Sequence, residues 1–440
     1  MTRSLRDFVP LTENVVNMYV CGPTVYNYIH IGNARSAVAF DTIRRYFEYC
    51  GYTVNYISNF TDVDDKIIKA ANEAGISTKE LSDKFIAAFM EDTAQLGIKP
   101  ATQNPRVINY MDEIIAFVST LVDKGFAYVS EGDVYFRVAK SNNYAKLANK
   151  TLEDLEIGAS GRTDAETERK ENPLDFALWK AAKEGEVSWD SPWGPGRPGW
   201  HIECSVMATE ILGDTIDIHG GGADLEFPHH TNEIAQSEAK TGKTFANYWM
   251  HNGFVNVDNE KMSKSLGNFV TVHDMLKTVD GQVLRFFLAT QQYRKPINFT
   301  EKAIHDAEVN LKYLKNTYSL PLTDQVNQDE LQTYLEAFQE AMDDDFNTAN
   351  GVTVLFDMAK WINSGNYDQT VKDAFEKMIQ VFGIVFEEEV LDEDIEKLIE
   401  ERQAARANKD FATADRIRDE LAAQGIKLLD TKEGVRWTRD

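Results

Sequence analysis

The chain has 440 residues, of which 43% are hydrophobic and 27% are charged, and its formal net charge is −25 at pH 7. A chain of this length usually forms more than one compact core, so we expect about two to four domains with well-packed interiors. The negative charge excludes a protein that coats nucleic acid indiscriminately, because such binding depends on cations that contact phosphates, and any nucleic-acid partner must meet a local basic surface.

The first elements are predicted to be a strand, a turn, a helix and a second strand. Residues 15–20 form a short apolar run typical of a buried strand, and residues 21–24 follow it as a turn. Apolar residues recur at helical spacing over 34–49, and residues 52–60 form the next strand. This order implies a right-handed crossover in a parallel sheet, whose ligands gather at the carboxyl ends of the strands. We therefore expect the loop over 21–30 to bind a ligand.

The middle of the chain interrupts this alternation. Residues 64–74 and 79–96 have helical patterns, whereas residues 125–138 indicate a hairpin within an inserted segment. Between residues 142 and 198, charged residues, glycines and prolines dominate, and we expect an ordered loop there. The sheet is expected to resume after this insertion, which makes the first part of the chain α/β.

Beyond about residue 300, amphipathic helices are expected to replace the strands. The clearest helical patterns lie at 331–342, 349–362 and 371–382. A further helical pattern covers 395–423, with a break near 409–410, and a small hairpin is predicted over 426–438. A helical domain and a small C-terminal domain should therefore follow the sheet.

Cysteine content and hydropathy indicate the compartment. The three cysteines, Cys21, Cys50 and Cys204, are too few for a disulfide framework in a chain of this length. No stretch supplies about 18 consecutive apolar residues, and residues 1–14 lack an apolar core behind a basic start. We expect a cytoplasmic protein that has no membrane partner.

The motif His30-Ile31-Gly32-Asn33 lies at the predicted start of the first helix. Free backbone amides and the helix dipole favour a phosphate at such a position. Gly32 would let a base or ribose approach the backbone, and His30 and Asn33 could both bind phosphate oxygens. Taken alone, however, the motif is weak evidence, and His30 is better explained as an ordinary helix cap.

A second motif, Lys-Met-Ser-Lys-Ser at 261–265, supplies two cations in one turn. Lys261 and Lys264 suit a triphosphate, because cations near the α-phosphate and the leaving pyrophosphate stabilise the transition state selectively. A bare lysine pair could also lie on a solvated surface loop. In this order and on this type of fold, the two motifs together resemble the class I aminoacyl-tRNA synthetases. The first motif is commonly His-Ile-Gly-His in that class, so Asn33 departs from it but still offers a hydrogen bond.

A third set of residues, Cys21, Cys204, His229 and Glu233, resembles the zinc site of the cysteinyl-tRNA synthetases. His229 and Glu233 are four residues apart, so they would share one helix face and could chelate one ion. Two thiolates, an imidazole and a carboxylate suit tetrahedral Zn²⁺. Spacing alone would favour buried structural cysteines, and His230 would also reach Glu233. The register of the flanking residues against the family pattern selects His229, and the resemblance implies one Zn²⁺ per chain.

The resemblance extends over nearly the whole chain, through segments 18–26, 59–66, 199–205 and 343–348. It implies a Rossmann-like parallel-sheet catalytic domain with an insertion, then an α-helical bundle and a small C-terminal tRNA-binding domain. The implied boundaries are 1–120 and 199–299 for the two halves of the catalytic domain, 121–198 for the insertion, 300–390 for the bundle and 391–440 for the anticodon-binding region.

The resemblance also implies a two-step reaction. L-cysteine and ATP give cysteinyl-adenylate and pyrophosphate, and the cysteinyl group then passes to the 3′ end of tRNA(Cys). His30, Asn33, Lys261 and Lys264 would position and stabilise the reacting groups. Zinc would select cysteine over serine because it binds a thiolate better than an alcohol. Mg²⁺ would arrive with ATP, and the family suggests a monomer.

The family pattern places further residues around the substrates. Thr61 and Trp200 match residues that line the amino-acid pocket. Gly32, Gly221, Asp224 and Lys264 would contact ATP. The acidic residues at 62, 64 and 65 are better explained as a charged helix start than as a metal site.

The tail beyond residue 401 is basic. Between residues 402 and 439, nine cations outnumber six anions, and Trp437 offers a ring on which a base could stack. This pattern suits the reading of an anticodon, although a solvated helix face is an alternative.

Two other functions remain open from the sequence. Cysteine-activating small-molecule ligases, such as those of mycothiol synthesis, resemble the catalytic part of this family but would not need the tail after residue 395. A synthetase-like binding protein without catalysis is the second alternative. The two motif lysines and the four metal ligands argue against it.

Overall fold

The computed structural model describes residues 2–151, 155, 167–262, 267–324, 326, 328–386, 393–431 and 434–439. They form two compact units, Met1–Val385 and Phe386–Asp440. The strands are β1 (Val15–Val20), β2 (Thr53–Ser58), β3 (Ala127–Ser130), β4 (Asp133–Phe136), β5 (Phe176–Ala181), β6 (Gly196–Pro198), β7 (Ile216–Gly222), β8 (Ala246–Asn252), β9 (Val255–Val257), β10 (Glu260–Lys261), β11 (Ile297–Phe299), β12 (Ile426–Thr431) and β13 (Gly434–Arg439).

The α-helices surround these strands and fill most of the chain after residue 300. They are α1 (Ile31–Tyr49), α2 (Asp65–Ala74), α3 (Thr78–Gln95), α4 (Met111–Asp123), α5 (Trp200–Leu212), α6 (Thr231–Thr241), α7 (Val272–Met275), α8 (Gly281–Ala289), α9 (Glu301–Tyr318), α10 (Gln328–Asp343), α11 (Thr348–Asn363), α12 (Gln369–Val381), α13 (Glu393–Ala407) and α14 (Phe411–Ala423). In the described part of the chain, we find no helix that combines the length and apolar character needed to cross a membrane.

A parallel four-stranded sheet lies at the centre of the first unit, in the order β2-β1-β7-β8. The chain moves from β1 to β2 on one side and later places β7 on the other side of β1. The boundary between β1 and β7 is therefore a topological switch point, where α/β sheets bind ligands beyond the carboxyl ends of the strands. The predicted α/β class and its Rossmann-like sheet are confirmed.

Helix α1 packs closely against this sheet. Its buried residues include Val38, Phe40 and Ile43, spaced as a helix face requires. A side chain at Gly220 of β7 would overlap the ring of Phe40, so glycine permits the close approach of helix and strand. The predicted helix over 34–49 is confirmed, although it begins earlier, at Ile31.

The inserted segment forms an antiparallel sheet in the order β3-β4-β5-β6. Strands β3 and β4 confirm the hairpin that we predicted. Strands β5 and β6 lie within 142–198, where we expected only a loop, so that part of the prediction was wrong. Residues 152–154 and 156–166 of this stretch lie outside the described residues. Side chains at Gly196 and Gly199 would overlap β5, so these glycines permit the pairing that their local sequence does not predict.

A buried ionic network joins α1 to α8 and to the end of α12. Nη2 of Arg285 lies 2.7 Å from Oδ2 of Asp41, and Nε of Arg45 lies 2.7 Å from the same oxygen. Nε of Arg285 also donates to the carbonyl oxygen of Phe382 at 2.8 Å. The end of α12 is therefore fastened through Arg285 to α1, the helix that His30 caps.

The helical predictions for the rest of the chain are confirmed. Helices α10, α11 and α12 coincide with the three predicted patterns. In the second unit, α13 and α14 are separated near the predicted break, and β12 pairs with β13 as the predicted hairpin. Its small core contains Ile395, Ile417, Leu421 and Ile426.

Candidate active site

Four side chains that we predicted as metal ligands converge at the carboxyl edge of β1. The ligand atoms of Cys21, Cys204, His229 and Glu233 all lie within 4.8 Å of one another. The two sulfurs are 3.7 Å apart, and His229 Nε2 lies 3.0 Å from Glu233 Oε1. All but Cys21 are buried. These four residues, hereafter the metal cluster, could hold a metal ion.

Different elements bring the metal cluster together. Cys21 follows β1, and its amide donates to the carbonyl oxygen of Gly220 in β7 at 3.1 Å. Cys204 lies in α5 and Glu233 in α6. We expected His229 on the same helix as Glu233, but α6 begins at Thr231 and His229 lies in the preceding helical turn, Glu226–His230. The contact between residues four apart is nevertheless retained.

The members of the metal cluster shift one another's pKa values. The hydrogen bond from Cys21 lowers the pKa of Cys204 to about 6, whereas burial raises the pKa of Cys21. Burial opposes charge on His229, but the Glu233 carboxylate outweighs it and raises the pKa of His229 to about 10. Burial would raise the pKa of Glu233, but His219 and His229 outweigh it and lower that pKa to about 2. A metal ion can bind here only when the thiols and the imidazole release their protons.

A second layer of histidines supports these side chains. His219 Nε2 lies 2.6 Å from Glu233 Oε2, and His230 Nε2 lies 3.4 Å from Cys21 Sγ. Cys21, His219, His230 and Glu233 form a second, overlapping group that could also hold a metal ion. His219 was not among the residues that the sequence predicted for the metal site. Its position at the end of β7, beside β1, is the signal that would have placed it near Cys21.

Thr61 and Trp200, predicted to line the amino-acid pocket, both lie near the metal cluster. Thr61 donates to Glu203 Oε2 at 3.1 Å and accepts from Asn59, whose side-chain oxygen lies 3.7 Å from Cys204 Sγ. The ring centroid of Trp200 lies 4.2 Å from that of His229, and 39% of Trp200 is exposed to solvent. A substrate bound at the metal cluster would therefore meet the indole.

The first motif forms a reciprocal cap at the start of α1. The Asn33 amide donates to His30 Nδ1 at 3.2 Å, and the His30 amide donates to Asn33 Oδ1 at 3.2 Å. A Cβ at Gly32 would lie 2.9 Å from His30 Nδ1, so glycine leaves room for the imidazole. This turn opens the helix that follows β1, and the helix start after such a strand is where nucleotides bind in folds of this kind.

The second motif lies close to the first. Lys261 ends β10, and the methyl carbon of Met262 lies 3.7 Å from the position that a Cβ on Gly32 would occupy. The Ile31 amide donates to the carbonyl oxygen of Val270 at 3.2 Å. Lys264 and its neighbours at 263–266 lie outside the described residues. The structure thus brings Met262, which follows Lys261, to the start of α1, and the amine of Lys261 lies 5.8 Å from the ring centroid of Phe254.

The two residues predicted to meet the adenosine lie at the end of β7. Gly221 is in the strand, and a side chain there would lie 2.8 Å from Cδ1 of Leu225. Asp224 lies in the helical turn that follows. Their roles stay predictions, as do those of the other proposed site residues.

Comparison with protein-family models matches three successive parts of the chain. Residues 7–309 match the model described as tRNA synthetases class I (C) catalytic domain. Residues 337–387 match the DALR domain, and residues 388–437 match the Cysteinyl-tRNA ligase anticodon binding domain. The chain belongs to the cysteinyl-tRNA synthetase family.

Similar proteins support this assignment over the full length. The chain is 94% identical to the Cysteine--tRNA ligase of Streptococcus thermophilus strain CNRZ 1066, over 100% of this chain and 98% of that protein. It is 82% identical, with the same coverage, to the ligase of the same name from Streptococcus agalactiae serotype III strain NEM316. Among solved structures, a Mycobacterium tuberculosis methionyl-tRNA synthetase in complex with methionyl-adenylate aligns with a TM-score of 0.62. That alignment covers 84% of this chain and 89% of the other at 15% identity, so it shows the fold alone.

Proposed function

We propose that this protein is a cysteine–tRNA ligase, which activates L-cysteine with ATP and transfers it to tRNA(Cys). The observation that carries the proposal is the metal cluster of two thiols, an imidazole and a carboxylate beside the two nucleotide motifs. Membership of the synthetase family supports an enzyme, and the cluster supports cysteine as the amino acid.

In the first step, a carboxylate oxygen of cysteine attacks the α-phosphorus of ATP, and the bond from that phosphorus to pyrophosphate breaks. The enzyme supplies no nucleophile, so its contribution is to position the reactants and stabilise charge. The amides at the start of α1, with His30 and Asn33, bind the phosphates. Lys261 and Lys264 neutralise the charge that develops toward pyrophosphate. Gly221 and Asp224 contact the adenosine, and Mg²⁺ enters with ATP.

The metal cluster fits Zn²⁺, because two sulfurs, one nitrogen and one carboxylate oxygen are a donor set that this ion accepts. Cys21, Cys204, His229 and Glu233 would hold it. When bound, zinc favours a thiolate over an alcohol and so distinguishes cysteine from serine. Around the site, Thr61 orients the amino acid and Trp200 restricts the entry of water.

In the second step, a hydroxyl oxygen of the terminal tRNA ribose attacks the carbonyl carbon of cysteinyl-adenylate. The bond from that carbon to the AMP phosphate oxygen breaks, and the hydroxyl proton passes to the phosphate of the departing AMP. Residues 391–440 bind the anticodon, and residues 300–390 connect that region to the catalytic domain. The catalytic domain comprises 1–120 and 199–299, with 121–198 inserted. We propose a cytoplasmic monomer.

Two assays test the proposal. Cysteine-dependent exchange of pyrophosphate into ATP measures the first step, and charging of tRNA(Cys) measures both steps. We expect both reactions in the zinc-loaded protein. Exchange without charging would favour a cysteine-activating small-molecule ligase instead. A zinc-loaded protein that does neither would overturn the enzymatic function.

A further inference from the structure

Main-chain hydrogen bonds join the segment that follows the second motif to the segment that leads into α1. The amide of Val272 donates to the carbonyl oxygen of Ile29 at 2.9 Å, and His30 forms an antiparallel bridge with Thr271. The two motifs therefore meet through the backbone at their edges. Backbone bonds need no particular side chain, so any further fixing of these two segments depends on the side chains beside them.

His273, the second residue of α7, makes a side-chain contact just beyond this bridge. Its Nδ1 atom lies 3.2 Å from Oδ1 of Asp92 in α3. Only 1% of the Asp92 side chain is exposed, and its other oxygen, Oδ2, has no hydrogen-bond partner among the described residues. A buried carboxyl group is costly unless it has a partner, so the contact with His273 holds the start of α7 against α3.

The imidazole of His273 also stacks on Tyr28. The two ring centroids are 4.2 Å apart, and the ring planes are inclined by 18°. Tyr28 lies two residues before His30, and its ring meets that of Phe85 in α3 edge to face, with 5.3 Å between the centroids. Stacked and edge-to-face pairs of this kind are favourable geometries for aromatic rings. His273 thus contacts both Tyr28, before the first motif, and Asp92 in α3.

The charged residues that follow His273 are engaged with each other. Oδ1 of Asp274 lies 2.7 Å from Nζ of Lys277. Oδ2 of Asp274 accepts from the hydroxyl of Thr271 at 2.8 Å. Lys277 is therefore held by Asp274, and His273 remains the partner of Asp92.

We propose that His273 is a positioning residue for the first step of the reaction. Through Tyr28 and Asp92 it fixes the segment after the second motif, and hence the motif lysines, relative to the start of α1. It touches neither ATP nor cysteine in this role. The inference rests on the proposed function, because the adenylation step is what gives the spacing of the two motifs a chemical purpose.

The spacing of the two motifs matters most in the transition state. Lys261 and Lys264 neutralise charge that develops toward pyrophosphate, so they stabilise the transition state more than bound ATP. A positioning group that is displaced by about 1 Å can cost about 100-fold in rate. Loss of His273 should therefore lower kcat and leave the KM for ATP unchanged.

The test measures kcat and KM in cysteine-dependent pyrophosphate exchange for His273→Ala and His273→Asn. Alanine removes both contacts of the imidazole, so we expect kcat to fall about 10-fold to 100-fold, with the KM values for ATP and cysteine unchanged. Asparagine loses the stack but offers an amide nitrogen to Asp92, so its kcat should lie between those of His273→Ala and the unaltered protein. His305→Ala, at an exposed histidine of α9, is the matched control and should keep the kcat of the unaltered protein.

A double variant tests the stack with Tyr28. Tyr28→Leu keeps an apolar side chain beside Phe85 and removes the ring that stacks on His273. Tyr28→Leu combined with His273→Ala should have the kcat of His273→Ala alone, because that substitution already removes the stack. If the two effects on kcat multiply instead, Tyr28 acts independently of His273 and the inference is overturned.

Three other outcomes would also overturn the inference. An unchanged kcat for His273→Ala would mean that the spacing of the motifs does not depend on this side chain. A raised KM for ATP with an unchanged kcat would mean that His273 supports the binding of ATP. A loss of exchange that matches the loss of folded protein, measured by circular dichroism at the assay temperature, would mean a purely structural role. Exchange by the unaltered protein tests the proposed function itself, so that function can stand while this inference fails.

Discussion

His219 contacts the carboxylate of Glu233, and its Nε2 atom lies 2.6 Å from Oε2. The other oxygen of Glu233 lies 3.0 Å from Nε2 of His229. One carboxylate oxygen is thus occupied by a partner at the end of β7, and the other remains within the metal cluster. Partners of this kind fix the orientation of a metal ligand.

His219→Gln is therefore expected to weaken metal binding without removing a member of the metal cluster. The loss of the orienting contact should lower metal affinity by about 10-fold to 100-fold. Competition with a chelator of known zinc affinity measures this change. His305→Gln, in the exposed part of α9, is the matched control and should bind metal as the unaltered protein does. Equal affinities for the two variants would contradict the role of His219.

Cys204→Ser should cost more than that, because it removes a sulfur from the metal cluster. We expect metal affinity to fall by more than the about 100-fold that outer partners contribute. The variant should also lose its preference for cysteine over serine in pyrophosphate exchange. Metal content after dialysis and exchange with each amino acid are the measurements. Cys50→Ser, at an exposed cysteine, should change neither, and full metal retention in Cys204→Ser would exclude the proposed cluster.

Gly32→Ala should lower activity without lowering thermal stability. The new Cβ would lie 2.9 Å from two atoms of the His30 ring and would displace the imidazole. Misplacement of a positioning group by about 1 Å can cost about 100-fold in rate, so kcat for exchange should fall by up to that factor. Alanine favours a helix more than glycine does, so the melting temperature should not fall. A variant with normal kcat would show that His30 does not need this position.

Asp41→Asn should destabilise the protein in a manner that depends on pH. Burial would raise the pKa of Asp41, but Arg285 and Arg45 outweigh it and lower that pKa. Since the folded pKa is below the unfolded value, the carboxylate stabilises the fold above about pH 4 and loses this contribution as pH falls through the folded pKa. At pH 7, breaking this buried network should cost about 3 to 5 kcal/mol in the free energy of unfolding.

Urea denaturation at several pH values checks this prediction. The difference between wild type and Asp41→Asn should shrink as pH falls below about 4. Asp306→Asn, which alters an exposed ion pair with Lys302, should not change the urea midpoint measurably. A constant difference between wild type and Asp41→Asn at all pH values would mean that the ionised carboxylate is not the stabilising species.

The sequence predicted those elements whose own residues carry the signal. The apolar run of β1 and the helical spacing of α1 are local patterns, and both were found close to their predicted bounds. Strand β6 was not predicted because its glycine and proline are typical of a turn, and only its pairing with β5 makes it a strand. The resemblance to a family, rather than spacing, selected the metal cluster, because Cys21 and Cys204 are brought together by the tertiary fold.

The supporting residues of the site could not be predicted in the same way. The contact of His219 with Glu233 depends on the parallel register of β1 and β7, which no local pattern encodes. No local pattern distinguishes Glu203 from other helical glutamates, and its burial against Thr61 appears only in the folded structure. Long-range packing therefore determines which polar residues complete the site, while motifs determine where its centre lies.

The reciprocal hydrogen bonds of His30 and Asn33 bear on how products leave. In the proposed reaction, phosphate oxygens draw these side chains away from each other. The free energy of phosphate binding is then only the difference between the new hydrogen bonds to phosphate and the lost hydrogen bonds of the cap. The exchange reduces phosphate affinity by about 1 kcal/mol, the usual contribution of a helix cap. When pyrophosphate departs, the cap closes again and no buried donor is left without an acceptor. The cap at the start of α1 can therefore open and close reversibly, which speeds the release of pyrophosphate and lowers the affinity of the site for it.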